Sequence, residues 1–130
     1  MNVGLVAHDG KKNLMQHLCI AYQDILKKHK LYATSTTGQM IEDVANLKIH
    51  KLLAGHFGGM QQMGSKISNN EIDLLIFLQD PSNKKRTPDF YNVLNLCDQY
   101  NIPCATNLPT AEVLILALDR GDLDWRNMYK

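Results

Sequence analysis

The chain has 130 residues and a formal net charge of +1, with 45% hydrophobic and 21% charged residues. This composition is typical of a globular protein and excludes the disordered and fibrous classes, while the near-neutral charge argues against a nucleic-acid partner. No apolar run reaches the roughly 18 residues that a membrane-spanning helix requires, so no membrane partner is expected.

The amino terminus and the cysteines bear on the compartment. The first residues enter a strand directly and carry no basic residue, so they do not predict a signal peptide. Cys19, Cys97 and Cys104 form no C-x-x-C pair and lie in apolar segments, which predicts buried free thiols in a reducing compartment. We therefore expect a cytoplasmic protein, with residues 1–130 forming one domain.

In chain order, the first predicted elements are a strand at residues 3–7 and a helix at residues 11–29. The strand is a continuous apolar run, as expected for a strand covered on both faces. The helix has apolar residues three and four positions apart. Its predicted inner face consists of Leu14, Leu18, Ala21, Tyr22 and Ile25.

The middle of the chain repeats this alternation. Strands are predicted at residues 31–33 and 49–54, and helices at residues 38–46 and 58–69. The residues expected to face inward from these two helices are Met40, Ile41, Val44, Met63 and Ile67.

The last part begins with the clearest buried strand, at residues 72–78, and has a fifth strand at residues 102–106. A helix at residues 88–100 begins with proline, and an apolar helix follows at residues 110–118. The inner face of the proline-started helix is predicted to carry Tyr91, Leu94 and Cys97, and the tail is expected to dock by burying Trp125.

Five strands separated by helices predict a three-layer α/β sandwich with a mostly parallel five-stranded sheet. Ligands of such sheets bind at the carboxyl ends of the strands. The loops that follow the strands are therefore the places to look for functional residues, and polar residues or glycines occur in all five of them.

The loop after the second strand has the most unusual sequence, T-S-T-T-G at residues 34–38. Hydroxyl groups from Thr34, Ser35, Thr36 and Thr37, together with the N–H groups of a helix start, favour an oxyanion such as phosphate. Lys12, at the start of the first helix, would add positive charge. Ordinary helix capping by the hydroxyl groups is the alternative.

The other loops contribute His8 and Asp9 after the first strand, Gly55 and His56 after the third, and Asp80 after the fourth. Each residue also has an ordinary structural interpretation, since glycines make turns and aspartates cap helices. Their shared position at one edge of the sheet favours a binding site.

These same segments resemble the methylglyoxal synthase family from residue 3 to about residue 118. The matching segments are V-A-H-D at 6–9 with Lys12, L-Y-A-T-S-T-T-G at 31–38, G-x-x-G-G-x-Q-Q-x-G at 55–64, D-L-L-I-F-L-Q-D-P at 73–81, P-D at 88–89, I-P-C-A-T-N at 102–107 and T-A-E at 110–112. The resemblance implies a homohexamer that converts dihydroxyacetone phosphate to methylglyoxal and phosphate, without a metal or an organic cofactor.

The resemblance also implies roles for individual residues. It assigns phosphate binding to Lys12, Thr34, Thr36, Thr37 and Gly55. It assigns polarisation of the substrate oxygens to His8, and it matches Asp9, Asp80 and Asp89 to acidic positions of the family site. Arg126 or Lys130 of a neighbouring subunit could add a basic group to the phosphate site.

The sequence departs from the family pattern at the position of the catalytic base. Met60 stands where the family has the aspartate that removes the proton, and a thioether cannot accept a proton near neutral pH. In addition, Ala54 replaces a phosphate-binding serine, Ser35 replaces a glycine, and a family histidine expected just before Pro88 is missing.

Two functions therefore stay open, beside the alternative of a structural subunit without a ligand, against which the threonine turn argues. One is a methylglyoxal synthase in which Asp9, Asp80 or His56 supplies the base. The other is a catalytically silent module that binds a phosphorylated metabolite, similar to the regulatory domains of carbamoyl phosphate synthetase.

Overall fold

The computed structural model describes residues 1–82 and 88–129. Its centre is a five-stranded sheet in the order β3-β2-β1-β4-β5, and all four pairings are parallel. The strands are β1 (Asn2–Ala7), β2 (Lys30–Thr34), β3 (Ile49–Leu52), β4 (Leu74–Leu78) and β5 (Cys104–Ala105). The predicted α/β class is confirmed, and the sheet is parallel throughout.

Helices cover both faces of the sheet. The helices are α1 (Lys12–Ala21), α2 (Gln23–Leu26), α3 (Ser35–Glu42), α4 (Gly59–Ser68), α5 (Pro88–Gln99) and α6 (Leu108–Asp119). Short 3-10 helices occupy Asp9–Lys11, Gly55–Phe57 and Asp124–Tyr129. Side chains of α1, α3 and α6 form one apolar core, and side chains of α4 and α5 form the other.

The central strands are apolar on both faces because both faces are covered. Every residue of β4 is buried, and neighbouring residues along it enter different cores: Ile76 packs with α1 and α6, whereas Phe77 packs with α4 and α5. The pairing of Val6 with Phe77 aligns the carboxyl ends of β1 and β4, so the loops after these strands lie side by side.

The first predicted helix is interrupted. The backbone of Tyr22 leaves the helical region, with φ −111° and ψ 23°, so α1 ends at Ala21 and the short α2 follows. This break changes which side chains face inward: Met15, Leu18 and Cys19 are buried, whereas Ala21 is exposed. The expectation that Ala21 lies on the inner face was wrong.

The predicted inner faces of two other helices, α5 and α3, were also partly wrong. In α5 the buried residues are Phe90, Val93 and Cys97, and Tyr91 is half exposed at 50%. The apolar spacing of three and four residues is present but starts one residue earlier than predicted. Val44 is exposed because α3 ends at Glu42, before the predicted end of that helix.

The tail docks through a different residue from the one predicted. Trp125 remains 46% exposed, whereas Arg126 is only 3% exposed. The Arg126 guanidinium donates to Asp73 Oδ1 at 3.1 Å, and it also donates to the carbonyl oxygens of Asn101 and Ile72 and to Asn70 Oδ1. A buried ion pair, rather than tryptophan burial, holds the 3-10 helix at Asp124–Tyr129 against the sheet.

Cys19 and Cys97 are buried free thiols as predicted, and Cys104 is a partly buried free thiol. Burial raises the pKa of the Cys19 thiol to about 12. Within the described ranges, no helix combines the length and the apolar character needed to cross a membrane.

Candidate functional site

A cavity of about 420 Å³ opens at the carboxyl edge of the sheet, where β1, β2 and β3 end. Its walls come from the loops after these strands and from two aromatic side chains. The lining residues are Val6, Ala7, His8, Asp9, Lys12, Thr34, Thr36, Gly55, His56, Met60, Phe77 and Phe90. Seven of the residues singled out from the sequence for chemistry or phosphate binding therefore lie around one space: His8, Asp9, Lys12, Thr34, Thr36, Gly55 and His56.

The amino-terminal end of α3 forms one wall. The helix begins at Ser35, three residues earlier than predicted, because Thr34 adopts the extended conformation of an N-cap (φ −62°, ψ 156°). The Thr34 side chain nevertheless makes no capping hydrogen bond. The first N–H groups of α3 thus lack a side-chain cap, and the helix dipole favours an anion at this end.

Thr34 and Thr36 line the cavity, whereas Ser35 and Thr37 do not. Thr37 is buried at 2% exposure, behind Lys12. Its hydroxyl group lies 3.4 Å from Lys12 Nζ. The structure therefore places Thr37 where it can orient the ammonium group.

Lys12 is held over the start of α3. Its side chain is 16% exposed, and Nζ lies 3.1 Å from Asp9 Oδ1 as well as 3.4 Å from the Thr37 hydroxyl oxygen. Asp9 itself is fully exposed at its carboxylate. A charged amine in this position is partly shielded from water and lies beside the helix amino terminus, which are two conditions that strengthen anion binding.

His8 is oriented by the backbone of the neighbouring loop. The N–H of Asp80 donates to His8 Nδ1 at 2.8 Å. A ring nitrogen that accepts a hydrogen bond carries no proton, so the neutral imidazole has its proton on Nε2. The ring packs against Phe77 and Phe90, with centroid distances of 5.3 Å and 5.2 Å.

Asp80 and Asp89 lie outside the cavity wall. Asp80 Oδ1 accepts hydrogen bonds from the Ser82 hydroxyl group at 2.6 Å and from the Ser82 N–H at 3.0 Å, and these two bonds hold its pKa below the ordinary value. A carboxylate stabilised in this way is a poor base. Asp89 Oδ2 accepts a hydrogen bond from Gln61 at 3.0 Å.

The loop after β3 brings His56 and Met60 to the cavity. It forms the 3-10 helix Gly55–Phe57 and then turns through Gly58, whose φ of 102° is in the left-handed region. A Cβ on Gly59 would lie 2.0 Å from the Leu53 carbonyl oxygen, so only glycine allows α4 to start this close to β3. His56 is exposed and packs on Phe57 at a centroid distance of 4.3 Å.

Phe77 and Phe90 are site residues that the sequence interpretation missed. The apolar run at residues 72–78 predicts only a buried strand for Phe77, and the predicted inner face of α5 contains Tyr91 instead of Phe90. Their place in a cavity wall depends on how β4 and α5 pack together, which no local pattern reports. The available signal was the position of Phe77 near the end of β4, the edge at which ligands bind in such sheets.

Three expectations concern residues near the end of the chain or outside the described ranges. Arg126 is buried beside Asp73, so in this structure it does not extend toward a neighbouring subunit's phosphate site. Lys130 lies outside the described residues. The position before Pro88, where the family histidine is missing, also lies outside them.

Comparisons with known proteins identify the family. A model of the MGS-like domain matches residues 15–106. Methylglyoxal synthase of Caldicellulosiruptor saccharolyticus is 54% identical over 129 residues, which cover 98% of this chain and 92% of the relative. Methylglyoxal synthase of Clostridioides difficile is 52% identical over 131 residues, with 100% and 96% covered.

A solved structure agrees with these relatives. The crystal structure of methylglyoxal synthase from Elizabethkingia anophelis superimposes with a TM-score of 0.81 at 34% sequence identity, covering 88% of this chain and 76% of that one. The fold, the sequence identity and the coverage all indicate the same family. The chain therefore belongs to the methylglyoxal synthase family.

Proposed function

We propose that this protein is a lyase that converts dihydroxyacetone phosphate to methylglyoxal and inorganic phosphate in the cavity described above. The observation that carries the proposal is the position of Lys12 beside the uncapped amino terminus of α3, in a cavity that His8 also lines. This arrangement suits a small ligand with a phosphate at one end and a carbonyl group at the other.

The phosphate would occupy the wall formed by Lys12, Thr34, Thr36 and Gly55. The ammonium group supplies charge, the threonine hydroxyl groups donate hydrogen bonds, and the helix start supplies N–H groups. A Cβ on Gly55 would meet no atom within 4 Å, so its backbone borders open space that a ligand can enter.

His8 would act on the oxygen atoms of the substrate. With Nδ1 occupied by the Asp80 N–H, the imidazole has only Nε2–H to donate. A donor fixed in this way stabilises the negative charge that develops on the substrate oxygen, as an oxyanion-hole donor does.

His56 is the base that we propose in place of the family aspartate. Asp80 lies outside the wall, and Asp9 is fully exposed and paired with Lys12. His56 lines the cavity together with Met60, and an imidazole can accept a proton near neutral pH.

The reaction then proceeds in two steps. His56 removes a proton from the carbon beside the carbonyl group, the C–H electrons form a C=C bond, and the carbonyl oxygen becomes an enediolate oxygen stabilised by His8. The hydroxyl group on the deprotonated carbon next loses its proton and becomes an aldehyde C=O, the C=C bond moves to the phosphate-bearing carbon, and the C–O bond to the phosphate breaks, so that phosphate leaves with the bonding electrons. The remaining enol becomes methylglyoxal by proton transfer.

The test is to incubate the purified protein with dihydroxyacetone phosphate and to measure phosphate and methylglyoxal separately. We expect the two products in equal amounts, above the rate of the uncatalysed reaction. His56→Gln should lower kcat by about 10²-fold or more, because a general base contributes about 10²–10⁴ in rate. If Asp9→Asn has this effect instead, Asp9 is the base, and if the unmodified protein forms no product, the proposed lyase activity is wrong.

A second candidate function is supported by Met60. Without the family aspartate, the same cavity would hold a phosphorylated metabolite and leave it unchanged. Calorimetric titration with inorganic phosphate distinguishes this case: binding without product formation supports a silent module, and the absence of binding contradicts both functions.

The finer expectations from the resemblance remain proposals. We propose that the protein works in the cytoplasm as a homohexamer, since the family resemblance implies this assembly. Light scattering on the purified protein would measure the number of subunits directly.

A further inference from the structure

A basic cleft lies at the opposite edge of the sheet from the candidate site. It forms where the turn before β2 meets the segment before β3, and it encloses about 330 Å³. Its lining residues, which define the basic cleft, are Lys27, Lys28, His29, Lys30, Leu31, Asn46, Leu47, Lys48 and His50. Because β2 runs from Lys30 to Thr34, one strand has its first residue in the basic cleft and its last residue at the candidate site.

The sheet register places the basic groups close together. Leu31 pairs with Ile49 and Tyr32 pairs with His50, so Lys30 and Lys48 enter their strands side by side. Of the nine described residues that line the basic cleft, six are lysines or histidines and none is an aspartate or glutamate. For a chain whose net charge is only +1, this is a marked local excess of positive charge.

Two of the lysines that line the basic cleft are paired with carboxylates, and Asp119 and Asp124 also act on His29. Asp24 pairs with Lys27 at 3.3 Å and Asp119 pairs with Lys28 at 3.2 Å. Within residues 1–82 and 88–129, neither Lys30 nor Lys48 has an ion-pair partner. Neither ammonium group is therefore neutralised by a carboxylate of these residues, although Lys30 Nζ lies 5.3 Å from the centre of the Tyr32 ring.

The two histidines of the basic cleft add hydrogen-bond donors, and the neighbouring lysine charges affect the pKa of His50. The amino-terminal ammonium group lies 3.1 Å from His29 Nδ1, and since an ammonium can only donate, the remaining donor of the neutral ring is Nε2–H. Partial burial and the charges of Lys30, Lys48 and Lys66 lower the pKa of His50. An anion held in the basic cleft would offset this repulsion.

The size and chemistry of the basic cleft favour one class of ligand. Ammonium groups on flexible stems bind phosphate oxygens as point charges, and several of them match an anion that carries several charges. A confined cleft suits a compact anion better than an extended nucleic acid. Its described lining residues also include no phenylalanine, tyrosine or tryptophan, the larger aromatic side chains on which bases stack.

We propose that the basic cleft is a second anion site, separate from the candidate active site, and that it binds an oligophosphate, a short chain of phosphoryl groups. The ligand is either free inorganic oligophosphate or the phosphate chain of a nucleotide. Lys30 and Lys48 are its principal contacts, with Lys27, Lys28 and the two histidines around them. The proposal does not depend on whether the candidate site turns over a substrate.

Calorimetric titration with sodium triphosphate at low ionic strength tests the proposal. We expect saturable binding that weakens strongly at high salt, because screening shortens the range of the charges. Lys48→Gln should weaken the affinity about tenfold and Lys30→Gln/Lys48→Gln more than that, as expected for lost charge-assisted hydrogen bonds. ATP should bind like triphosphate, and adenosine should not bind.

The matched control is Lys51→Gln. Lys51 is an exposed lysine in the same strand as His50, it pairs with Glu42, and it does not line the basic cleft. Its loss changes the net charge by the same amount as the loss of Lys48. An equal fall in affinity for both variants would mean a nonspecific charge effect and would overturn the proposal.

Two further measurements locate the ligand. Lys12→Gln should leave triphosphate binding unchanged, and loss of binding in that variant would place the ligand in the candidate site instead. In NMR spectra, the ring protons of His29 and His50 should shift on titration, whereas those of His56 should not. If the double variant changes the number of subunits rather than the triphosphate affinity, the basic cleft is a contact with a second copy, and the proposal is wrong.

Discussion

Met60 is the residue on which turnover most depends. It lines the cavity at the end where α4 begins, and a thioether takes no part in proton transfer there. Met60→Asp should restore a carboxylate at the family base position and raise kcat for methylglyoxal formation, by about 10²–10⁴-fold when tested together with His56→Gln and by less where His56 already acts as the base. The measurement is initial rate against dihydroxyacetone phosphate concentration.

The control for this substitution is Met60→Asn, which has the size and polarity of aspartate but no basic oxygen. Its kcat should match that of the unmodified protein. If Met60→Asp also leaves kcat unchanged while phosphate still binds, the rest of the site is not arranged for proton removal, and the silent binding function is favoured.

At the scale of elements, α3 and α6 differ in whether a side chain caps the amino terminus of the helix. Asn107 caps α6 by accepting a hydrogen bond from the Thr110 N–H at 3.1 Å, whereas Thr34 makes no capping bond at α3. The starts of α1, α2 and α4 also lack a side-chain cap, so we interpret the start of α3 as the place for a ligand anion because Lys12 lies beside it in the cavity.

This contrast predicts opposite effects of two substitutions. Asn107→Ala should lower the free energy of unfolding by about 1 kcal/mol and leave phosphate affinity unchanged. Thr34→Val should weaken phosphate affinity about tenfold with little effect on stability, since it removes a hydrogen-bond donor to an anion. Urea denaturation and calorimetry measure the two quantities, and a large stability loss in Thr34→Val would contradict the ligand role.

A buried ion pair between Arg126 and Asp73 helps to hold the carboxyl-terminal 3-10 helix at Asp124–Tyr129. Asp73 has no exposed side-chain surface, and it accepts from Arg126 and from the Asn2 N–H, which lies 2.8 Å away. Arg126→Met would leave the carboxylate buried without its cation, so we expect a loss of about 3–5 kcal/mol in unfolding free energy.

The matched control is Arg120→Met, which removes an arginine whose ion pair with Asp122 is exposed. That variant should lose only about 0–1 kcal/mol. Equal losses in urea denaturation of the two variants would mean that the buried pair contributes no more than the exposed one.

At the scale of the whole molecule, two histidines should make stability depend on pH. Burial, the amino-terminal ammonium group and Lys28 lower the pKa of His29 from 6.5, although Asp119 and Asp124 oppose the change. Partial burial and the charges of Lys30, Lys48 and Lys66 lower the pKa of His50 from 6.5. A lowered folded-state pKa means that, between this pKa and 6.5, the unfolded chain binds more protons than the folded chain.

Stability should therefore be full above pH 6.5 and fall as the pH drops through that value, until the pH is below the folded-state pKa of each histidine. Urea denaturation between pH 8 and pH 5.5 measures the slope. His29→Gln and His50→Gln should each flatten it, and a slope that is unchanged in both variants would assign the effect to other groups.

Much of the fold followed from local patterns. The apolar runs of β1 and β4 and the spacing of Met63 and Ile67 each predicted their element correctly, because burial on both faces or on one helical stripe leaves a direct mark on the sequence. Helix bounds and inner faces were less accurate in α1 and α5. A break at Tyr22 and a phase shift of one residue at Phe90 arise from packing, which overrides local spacing.

The candidate site was predictable in its outline. Threonine, glycine and histidine residues in the loops after the strands predicted which loops form the site, because parallel strands have their carboxyl ends at the same edge of the sheet. The sequence did not predict that Phe77 and Phe90 form a wall, that Thr37 lies behind Lys12, or that Asp80 acts on His8 through its backbone N–H. Each of these depends on contacts between segments far apart in the chain.

The order of residues alone determined the family, the alternation of strands and helices, and the methionine at the base position. These are properties of chemistry and local periodicity, which the chain carries whether or not it is folded. Only the tertiary structure decided which hydroxyl groups face the cavity, that Arg126 rather than Trp125 anchors the tail, and that lysines from two segments share one cleft. Such features exist only once the sheet register brings distant residues within a few ångströms of one another.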